Sequence, residues 1–323
     1  MQAPPRTLAF GFDVRPAEED DAEEQPAAAA EPRRVVVRVC ETDFARGGLG
    51  WRVWGAAHVL ARELAAAPRS LLQPRAGEAP VTVLELGAGC GVCGLLAAAL
   101  GARDVVLTDA LPALLDTLAA GAALQSCDAG GAEQQPLPPW TWRGAAPGSR
   151  IRVRTLLWDD DVAACGDATA ARSATEAAFA RSMLAAQLRR ESAAAADTAP
   201  ALDAAERFEL VIGSDLLYDW SAVRPLTATV LRRLAPGGLC LLALPVRDKP
   251  LLDALAEGLT RAGLAWDARP SAPPSEAPRS DDTGGDEPLA CVDLRIWHPA
   301  APPARRWQGW PQEADTRCDD AAR

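Results

Sequence analysis

Several residue types are scarce or absent in this sequence. It contains no asparagine, one lysine (Lys249), one tyrosine (Tyr218), two histidines and two methionines, whereas alanine, arginine and proline are abundant. Under such a compositional bias, each rare residue carries more information than usual. No apolar run reaches the roughly 20 residues that a membrane span requires. The N-terminus turns acidic at Glu18–Glu24 rather than showing the basic start and apolar core of a secretory signal. We therefore expect no membrane partner and a cytoplasmic location, with the nucleus as an additional compartment.

Positive charge and closely paired cysteines are also in short supply. The net charge is −11 and the sequence pI is about 4.8, which argues against nucleic acid as a partner and is compatible with a basic protein substrate. The eight cysteines include one close pair, Cys90 and Cys93, within a glycine-rich turn that needs small side chains. Because no second pair accompanies them, we predict no metal site and no disulfide framework, and we interpret both as small buried residues.

The chain is organised around residues 81–94, where an apolar, β-branched run meets a cluster of glycines. Val81–Leu86 predicts a strand that is buried on both faces. The glycines that follow can take positive φ and let a ligand approach the backbone closely. A helix is predicted to start in Leu95–Leu100. Strand, turn and helix N-terminus together indicate a site for the polar parts of a nucleotide-like cofactor.

Two cofactor classes fit this loop. The second predicted strand ends at Asp109, 22 positions after Gly87, where an acid can accept hydrogen bonds from a ribose diol. Gly89–Gly94 matches the dinucleotide pattern G-x-G-x-x-G, which is a weak signal by itself. The longer string E-x-G-x-G-x-G, which starts at Glu85, favours S-adenosylmethionine. A nicotinamide dinucleotide, or a glycine-rich turn without a ligand, remains the alternative at this point.

Predicted strands and helices alternate along most of the chain. Further strands are predicted at 151–158, 208–214, 239–246, 264–268 and 289–297, and helices at 51–64, 111–124, 226–234 and 251–262. This alternation predicts an α/β, Rossmann-like fold with a mainly parallel sheet and a last strand that returns antiparallel. Glu85, Asp109, Trp158 and Asp215 all fall at the carboxyl ends of strands, where such sheets bind ligands. They therefore predict one shared site.

The low-complexity stretches define the predicted domain boundaries. Residues 1–33 are acidic and rich in alanine and proline, and are predicted to be a mobile arm. One domain is predicted at 34–298. It carries insertions at about 126–149, 162–206 and 270–288, and a disordered tail at 299–323 follows it.

Five segments resemble the seven-β-strand protein lysine methyltransferases, methyltransferase family 16, of the methyltransferase-like 21 type. The segments are W-R-V-W at 51–54, L-E-L-G-A-G-C-G at 84–91, L-T-D at 107–109, L-W-D at 157–159 and S-D-L-L-Y at 214–218. Many methyltransferases share the glycine loop, whereas D-x-x-Y after the fourth strand, combined with the preceding tryptophans, is more specific. The resemblance implies a class I methyltransferase with a seven-stranded sheet and S-adenosylmethionine as cofactor.

The resemblance also implies roles for individual residues. Those implied to contact the cofactor are Trp54, Gly87, Ala88, Gly89, Asp109, Trp158 and Ser214, and we add Glu85, the acid ahead of the loop. Asp215 and Tyr218 are implied to line the opening through which an acceptor amine enters, and they are the predicted catalytic residues. Judged by their spacing alone, Asp215 fits a helix N-cap, and Tyr218 and Trp54 fit packing residues.

The expected function is S-adenosylmethionine-dependent methylation of a lysine side chain in a protein substrate, by a monomer. Asp215 would attract and orient the incoming ammonium, while Tyr218 would offer a hydroxyl and a ring face for cation–π contact. Two alternatives stay open: a methyltransferase that acts on a small molecule or another protein side chain, and a non-catalytic cofactor-binding protein of the same fold.

Overall fold

The computed structural model describes residues 6–14, 33–72, 81–127, 137–165, 198–271 and 290–300. The strands are β1 (Arg6–Val14), β2 (Arg33–Glu41), β3 (Thr82–Leu86), β4 (Asp104–Asp109), β5 (Thr141–Arg143), β6 (Arg150–Thr155), β7 (Phe208–Ser214), β8 (Leu234–Pro245), β9 (Ala265–Ser271) and β10 (Cys291–Trp297). The helices are α1 (Phe44–Gly47), α2 (Gly55–Ala66), α3 (Pro68–Leu72), α4 (Val92–Ala99), α5 (Pro112–Cys127), α6 (Trp158–Cys165), α7 (Val223–Arg233) and α8 (Lys249–Arg261).

The central sheet has eight strands in the order β5-β6-β4-β3-β7-β8-β10-β9. The five strands from β6 to β8 pair in parallel, and β10 runs antiparallel between β8 and β9. The prediction of a mainly parallel, Rossmann-like sheet with an antiparallel last strand is therefore confirmed. Alternate residues of β3 and β4 serve the two faces: Val83 and Val105 pack with α2, α4 and α5, while Leu84 and Val106 pack with α7 and α8.

The eighth strand was not predicted. Thr141–Arg143 lies within the stretch 126–149, for which the sequence predicted a surface insertion, but it forms β5 and pairs antiparallel with β6. Helix α5 also reaches further than predicted, to Cys127. The turn between β5 and β6 contains Gly148 at φ +76°, a conformation that glycine adopts without strain.

The N-terminal segment also differs from the prediction. Arg6–Val14, which falls within the predicted mobile arm at 1–33, pairs along its whole length with β2 in a separate two-stranded sheet. Phe12 is buried against the main core, and the Phe10 ring meets the His58 ring edge-on at 5.0 Å. The alternating apolar residues of this stretch give the strand one face to bury, which the acidic stretch after it lacks.

Two predicted boundaries near the site shift by a few residues. Helix α2 begins at Gly55, so that Trp54 precedes the helix as its N-cap residue instead of lying inside it. Strand β6 ends at Thr155, and Trp158 is the first residue of α6 rather than the last of a strand. The three aspartates at 159–161 were predicted to end the strand, but they occupy the first turn of α6, where carboxylates interact favourably with the helix dipole.

Other predicted boundaries can be checked only in part. Strand β9 continues to Ser271, and Ala199 and Leu202, within the predicted insertion 162–206, are buried. The remaining parts of the predicted arm, insertions and tail, at 1–5, 15–32, 128–136, 166–197, 272–289 and 301–323, lie outside the described residues. Within the described ranges, no helix combines the length and the apolar character that crossing a membrane requires.

Candidate cofactor and acceptor site

The glycine loop between β3 and α4 is a tight turn built from left-handed residues. Gly87 and Gly89 have φ +53° and Gly91 has φ +77°. The Gly91 N–H donates to the Ala88 carbonyl at 2.7 Å, and the Ala88 N–H donates to the Thr108 carbonyl at 2.8 Å. A Cβ atom on Gly89 would lie 3.1 Å from the Gly50 carbonyl oxygen. All three positions therefore favour glycine for their φ angles, and Gly89 also for the close approach of the neighbouring backbone.

Glu85 lies beneath this loop and is almost completely buried, with 2% of its surface exposed. Its Oε2 accepts a hydrogen bond of 2.8 Å from the Gly94 N–H, in the first turn of α4, and the Thr108 hydroxyl donates to its carbonyl at 2.6 Å. Burial raises the pKa of Glu85 to about 8, and the Gly94 and Cys93 amides oppose that rise. Through these contacts Glu85 stabilises the loop. Its contact with a cofactor remains a prediction.

Asp109 ends β4 beside the same loop. Its Oδ2 accepts from the Gly89 N–H at 3.1 Å, while its Oδ1 accepts from the amides of Ala110 at 2.7 Å and Leu111 at 3.2 Å. Burial raises the pKa of Asp109, and the three amides oppose this rise. Since each carboxylate oxygen has two lone pairs, the side chain is fixed against the loop and still has acceptor capacity for a ribose diol.

Trp54 is linked to the loop through the turn that precedes it. Its indole Nε1–H donates to the Leu49 carbonyl at 2.6 Å, and the next residue, Gly50, packs on Gly89. The Arg52 guanidinium stacks 4.3 Å from the centre of the Trp54 ring. The contact between Trp54 and the cofactor loop is therefore indirect. No role was predicted for Arg52 from the sequence, although it lies inside the W-R-V-W motif.

Trp158 approaches the loop from the opposite side. An ideal Cβ on Gly87 would lie 3.5 Å from the Trp158 ring and 2.8 Å from Leu216 Cδ2. Helix α6, which begins with Trp158, is anchored to α7 by an ion pair in which Asp161 accepts from Arg233 Nε and Nη2, both at 2.9 Å. Gly87, Trp158 and Leu216 therefore meet at one place.

Asp215 follows β7 in an unusual backbone conformation. Its φ is +56°, a left-handed value that aspartate tolerates better than most residues, and its N–H donates to the Ala243 carbonyl at 2.9 Å. Both carboxylate oxygens accept from Arg247: Nη2 lies 3.0 Å from Oδ2, and Nη1 pairs with Oδ1. The preceding residue, Ser214, lies close enough to the Cys93 thiol to oppose the rise in its pKa that burial causes. No role was predicted for Arg247 from the sequence.

Tyr218 is half exposed, at 50% of its surface. Its pKa is raised to about 12, chiefly because burial shields the hydroxyl and further because the carboxylates of Asp109, Asp219 and Asp215 are near. The hydroxyl is therefore protonated at neutral pH. It lies within electrostatic range of Asp109, which is predicted to bind the cofactor, and of Asp215, which is predicted to meet the acceptor.

The structure thus gathers most of the predicted residues at the carboxyl end of the parallel strands. Gly87, Ala88, Gly89 and Asp109 are joined by direct hydrogen bonds or backbone contacts, and Trp158 reaches Gly87. Three features of this site suit a cofactor with a nucleoside and a short polar chain. They are the glycine-rich loop, the acid at the end of the neighbouring strand and the tryptophan beside them. The fold and this arrangement define a Rossmann-like class I methyltransferase.

Part of the chain matches a family model. Residues 38–136 match the model of a family described as lysine methyltransferase. The match confirms the resemblance found in the sequence, and with it S-adenosylmethionine as the cofactor. The matched part holds Trp54, the glycine loop and Asp109, but it ends before Trp158, Asp215 and Tyr218. No curated protein matches the chain.

Solved structures that resemble this chain are distant. The ribosomal protein L11 methylase from Lactobacillus delbrueckii subsp. bulgaricus is 13% identical over 75% of this chain and 77% of its own, with a TM-score of 0.37. The glycopeptide N-methyltransferase MtfA is 17% identical over 76% and 92%, with a TM-score of 0.38. A TehB-like SAM-dependent methyltransferase from Corynebacterium glutamicum is 14% identical over 79% and 92%, with a TM-score of 0.36. Because these TM-scores are below 0.5, the fold assignment rests on the strand order of the sheet.

Proposed function

We propose that this methyltransferase acts on a lysine side chain of a protein substrate. The observation that carries the proposal is the position of Asp215, a carboxylate held at the end of β7 next to Leu216, which packs on the cofactor loop at Gly87. A fixed carboxylate next to a residue that packs on the cofactor loop suits an acceptor that arrives as a cation. The description of the matched family, lysine methyltransferase, supports the same acceptor.

The cofactor would be held by Gly87, Ala88, Gly89, Asp109, Trp158 and Ser214. Trp54 and Glu85 would complete this set from either side of the loop. When bound, S-adenosylmethionine would supply an electrophilic methyl group on its sulfonium sulfur, and the acceptor amine, after losing its proton to solvent, would be the nucleophile that displaces the sulfur. The protein contributes orientation, since an in-line displacement requires the amine about 3 Å from the reacting carbon.

Asp215 and Tyr218 would act on the acceptor. Asp215 attracts the incoming ammonium and fixes its direction. Tyr218, which stays protonated because its pKa is about 12, offers a hydroxyl for hydrogen bonding and an exposed ring face for the cation. A tyrosine in this state does not take up the acceptor's proton, so the amine must lose it to solvent.

The test is methyl transfer by the Asp215→Asn variant. Asparagine keeps the size and tolerates the left-handed backbone, but it removes the charge and replaces one acceptor oxygen with an NH2 donor. Purified protein is incubated with methyl-labelled S-adenosylmethionine and a proteome extract, and hydrolysed protein is analysed for labelled N-methyl-lysine. We expect the variant to lose at least about 100-fold in rate, the lower range for removing a positioned polar group, while its cofactor affinity in calorimetry stays within about twofold.

Asp253→Asn is the matched control, because Asp253 pairs with Lys249 on the exposed surface of α8, and it should retain full activity. Label in the low-mass fraction alone would assign a small-molecule acceptor. Cofactor binding without label in any fraction would identify a binding protein. Full activity of Asp215→Asn would contradict the role given to Asp215.

A further inference from the structure

The ion pair between Asp215 and Arg247 joins the carboxyl ends of two neighbouring parallel strands. Ser214 of β7 pairs with Ala243 of β8, and Arg247 follows Ala243 by four residues. The guanidinium meets both carboxylate oxygens, and the two side chains are 34% and 8% exposed for Arg247 and Asp215. A bidentate pair of this kind fixes the plane and direction of the carboxylate more firmly than a single contact does.

Arg247 is the described cation that contacts Asp215, and several acids lie near this corner. They are Asp109 at the end of β4, Tyr218 and Asp219 after β7, and Cys291 at the start of β10. Tyr218 stays neutral, because its pKa is about 12, and burial raises the pKa of Cys291 to about 11, so that its thiol is also neutral at pH 7. Without Arg247, an acceptor would therefore enter a corner with unbalanced negative charge.

Negative charge has two opposing effects on a lysine acceptor. It attracts the ammonium, but it also favours the protonated form, whereas only the neutral amine can attack the methyl carbon. A lysine ammonium has an ordinary pKa near 10.4, and each further unit of increase reduces the neutral fraction at pH 7 by about tenfold. A cation that neutralises part of the field of Asp215 limits this loss.

We propose that Arg247 is a positioning residue for methyl transfer: its guanidinium holds the Asp215 carboxylate in one direction and offsets enough of its charge for the acceptor amine to lose its proton to solvent at neutral pH. This role rests on the proposed lysine acceptor, and it adds to the acceptor site a residue that lies outside the D-x-x-Y motif. The remaining lone pairs of the Asp215 oxygens are free to accept from the incoming ammonium.

The experiment compares Arg247→Met and Arg247→Lys with the wild type between pH 7 and pH 11, with the rate of N-methyl-lysine formation in the proteome extract as the readout. At pH 7 the Met variant should be at least about tenfold slower than the wild type, which corresponds to one pKa unit in the acceptor. At pH 11 the difference in rate should shrink to about threefold, since bulk base then deprotonates most of the amine in the wild type and part of it in the variant. The Lys variant keeps the charge and should follow the wild-type pH profile.

Lys249→Met is the matched control. Lys249 lies two residues after Arg247 and pairs with Asp253 on the exposed surface, so its loss should leave the pH profile unchanged. The variant also contains no lysine, since Lys249 is the single lysine of the chain, and all its label must then come from the extract. Calorimetry with S-adenosylmethionine confirms that each variant still binds the cofactor.

If the rate of the Arg247→Met variant were lower than that of the wild type by the same factor at every pH, the inference would be overturned. Arg247 would then only connect the ends of two strands. A Met variant as active as the wild type at pH 7 would overturn it as well. A wild-type protein that binds the cofactor but labels no lysine would refute the lysine acceptor itself, and Arg247 would then lose its proposed role together with Asp215.

Discussion

Gly94, in the first turn of α4, lies where the helix touches both β4 and the Glu85 carboxylate. A Cβ atom there would collide with Leu107 Cδ2 and lie 2.6 Å from Glu85 Oε2, both of them buried. The residue therefore sets how closely α4 approaches the sheet, and with it the position of the glycine loop.

We predict that Gly94→Ala lowers the free energy of unfolding by about 1–3 kcal/mol, the usual cost of overpacking a core, in spite of the higher helix propensity of alanine. Urea denaturation measures the change. Gly121→Ala in α5 is the control: its nearest atom would be Leu95 Cδ1 at 3.3 Å, the end of a side chain, and its stability should stay equal or rise by up to about 1 kcal/mol. Equal losses in both variants would show that the crowding at Gly94 has no effect.

Single residues also show what the sequence can and cannot predict about the site. Asp109 and Asp215 were predictable because they follow apolar strands directly, and the carboxyl ends of parallel strands meet at one edge. Arg247 was not predictable, since its partner is 32 positions away and an ion pair between two loops leaves no spacing in the sequence. The burial of Glu85 under the loop likewise depends on the packing of α4.

At the scale of elements, helix α6 determines where Trp158 stands. The helix is short and acidic, and its main attachment is the buried ion pair of Asp161 with Arg233 on α7, whose side chains are 2% and 3% exposed. Arg232 adds a second contact to Asp161 at 3.0 Å.

We predict that Asp161→Asn destabilises the protein by about 3–5 kcal/mol, because it leaves the Arg233 charge buried without its carboxylate. The measurement is again urea denaturation. Asp253→Asn, which breaks an exposed pair within α8, should cost less than about 1 kcal/mol. If the two variants lost the same amount, the burial of the Asp161 pair would have no energetic consequence.

Elements were predictable to the degree that their signal is local. Strands β3 and β4 are continuous apolar runs and were found within two residues of their bounds. Strand β5 has three residues and exists because β6 offers an edge and Gly148 closes the turn, neither of which a three-residue pattern reveals. The aspartates after Leu157 suit a strand end and a helix start equally well, and the packing of α6 on α7 decides between the two.

For the whole molecule, Glu85 makes stability depend on pH. Its pKa is about 8 in the folded protein against an ordinary 4.5, so between these values the folded form keeps a proton that the unfolded form loses. The unfolded state then binds fewer protons, and stability falls as pH rises through this range.

We predict that the free energy of unfolding of the wild type falls from pH 5 to pH 8 relative to that of Glu85→Gln, and that the difference levels off above about pH 8. Glutamine keeps an oxygen for the Gly94 N–H and has no proton to lose. Burial raises the pKa values of Asp109, Asp267 and Asp293 in both proteins, so their contributions cancel in the difference. Two stability curves that run parallel across this range would rule out the titration of Glu85.

The strand order has one more consequence. Between β3 and β7, at the centre of the sheet, the chain changes the direction in which it adds strands: β4 and β6 lie on one side, and β7 and β8 on the other. The residues proposed to hold the cofactor come mainly from the first side, and Asp215, Tyr218 and Arg247 come from the second. Under the proposed roles, the residues that hold the cofactor and those that meet the acceptor therefore lie mostly on different strands. Acceptor preference can therefore drift over evolution in the second half, while the first keeps its affinity for an unchanging cofactor.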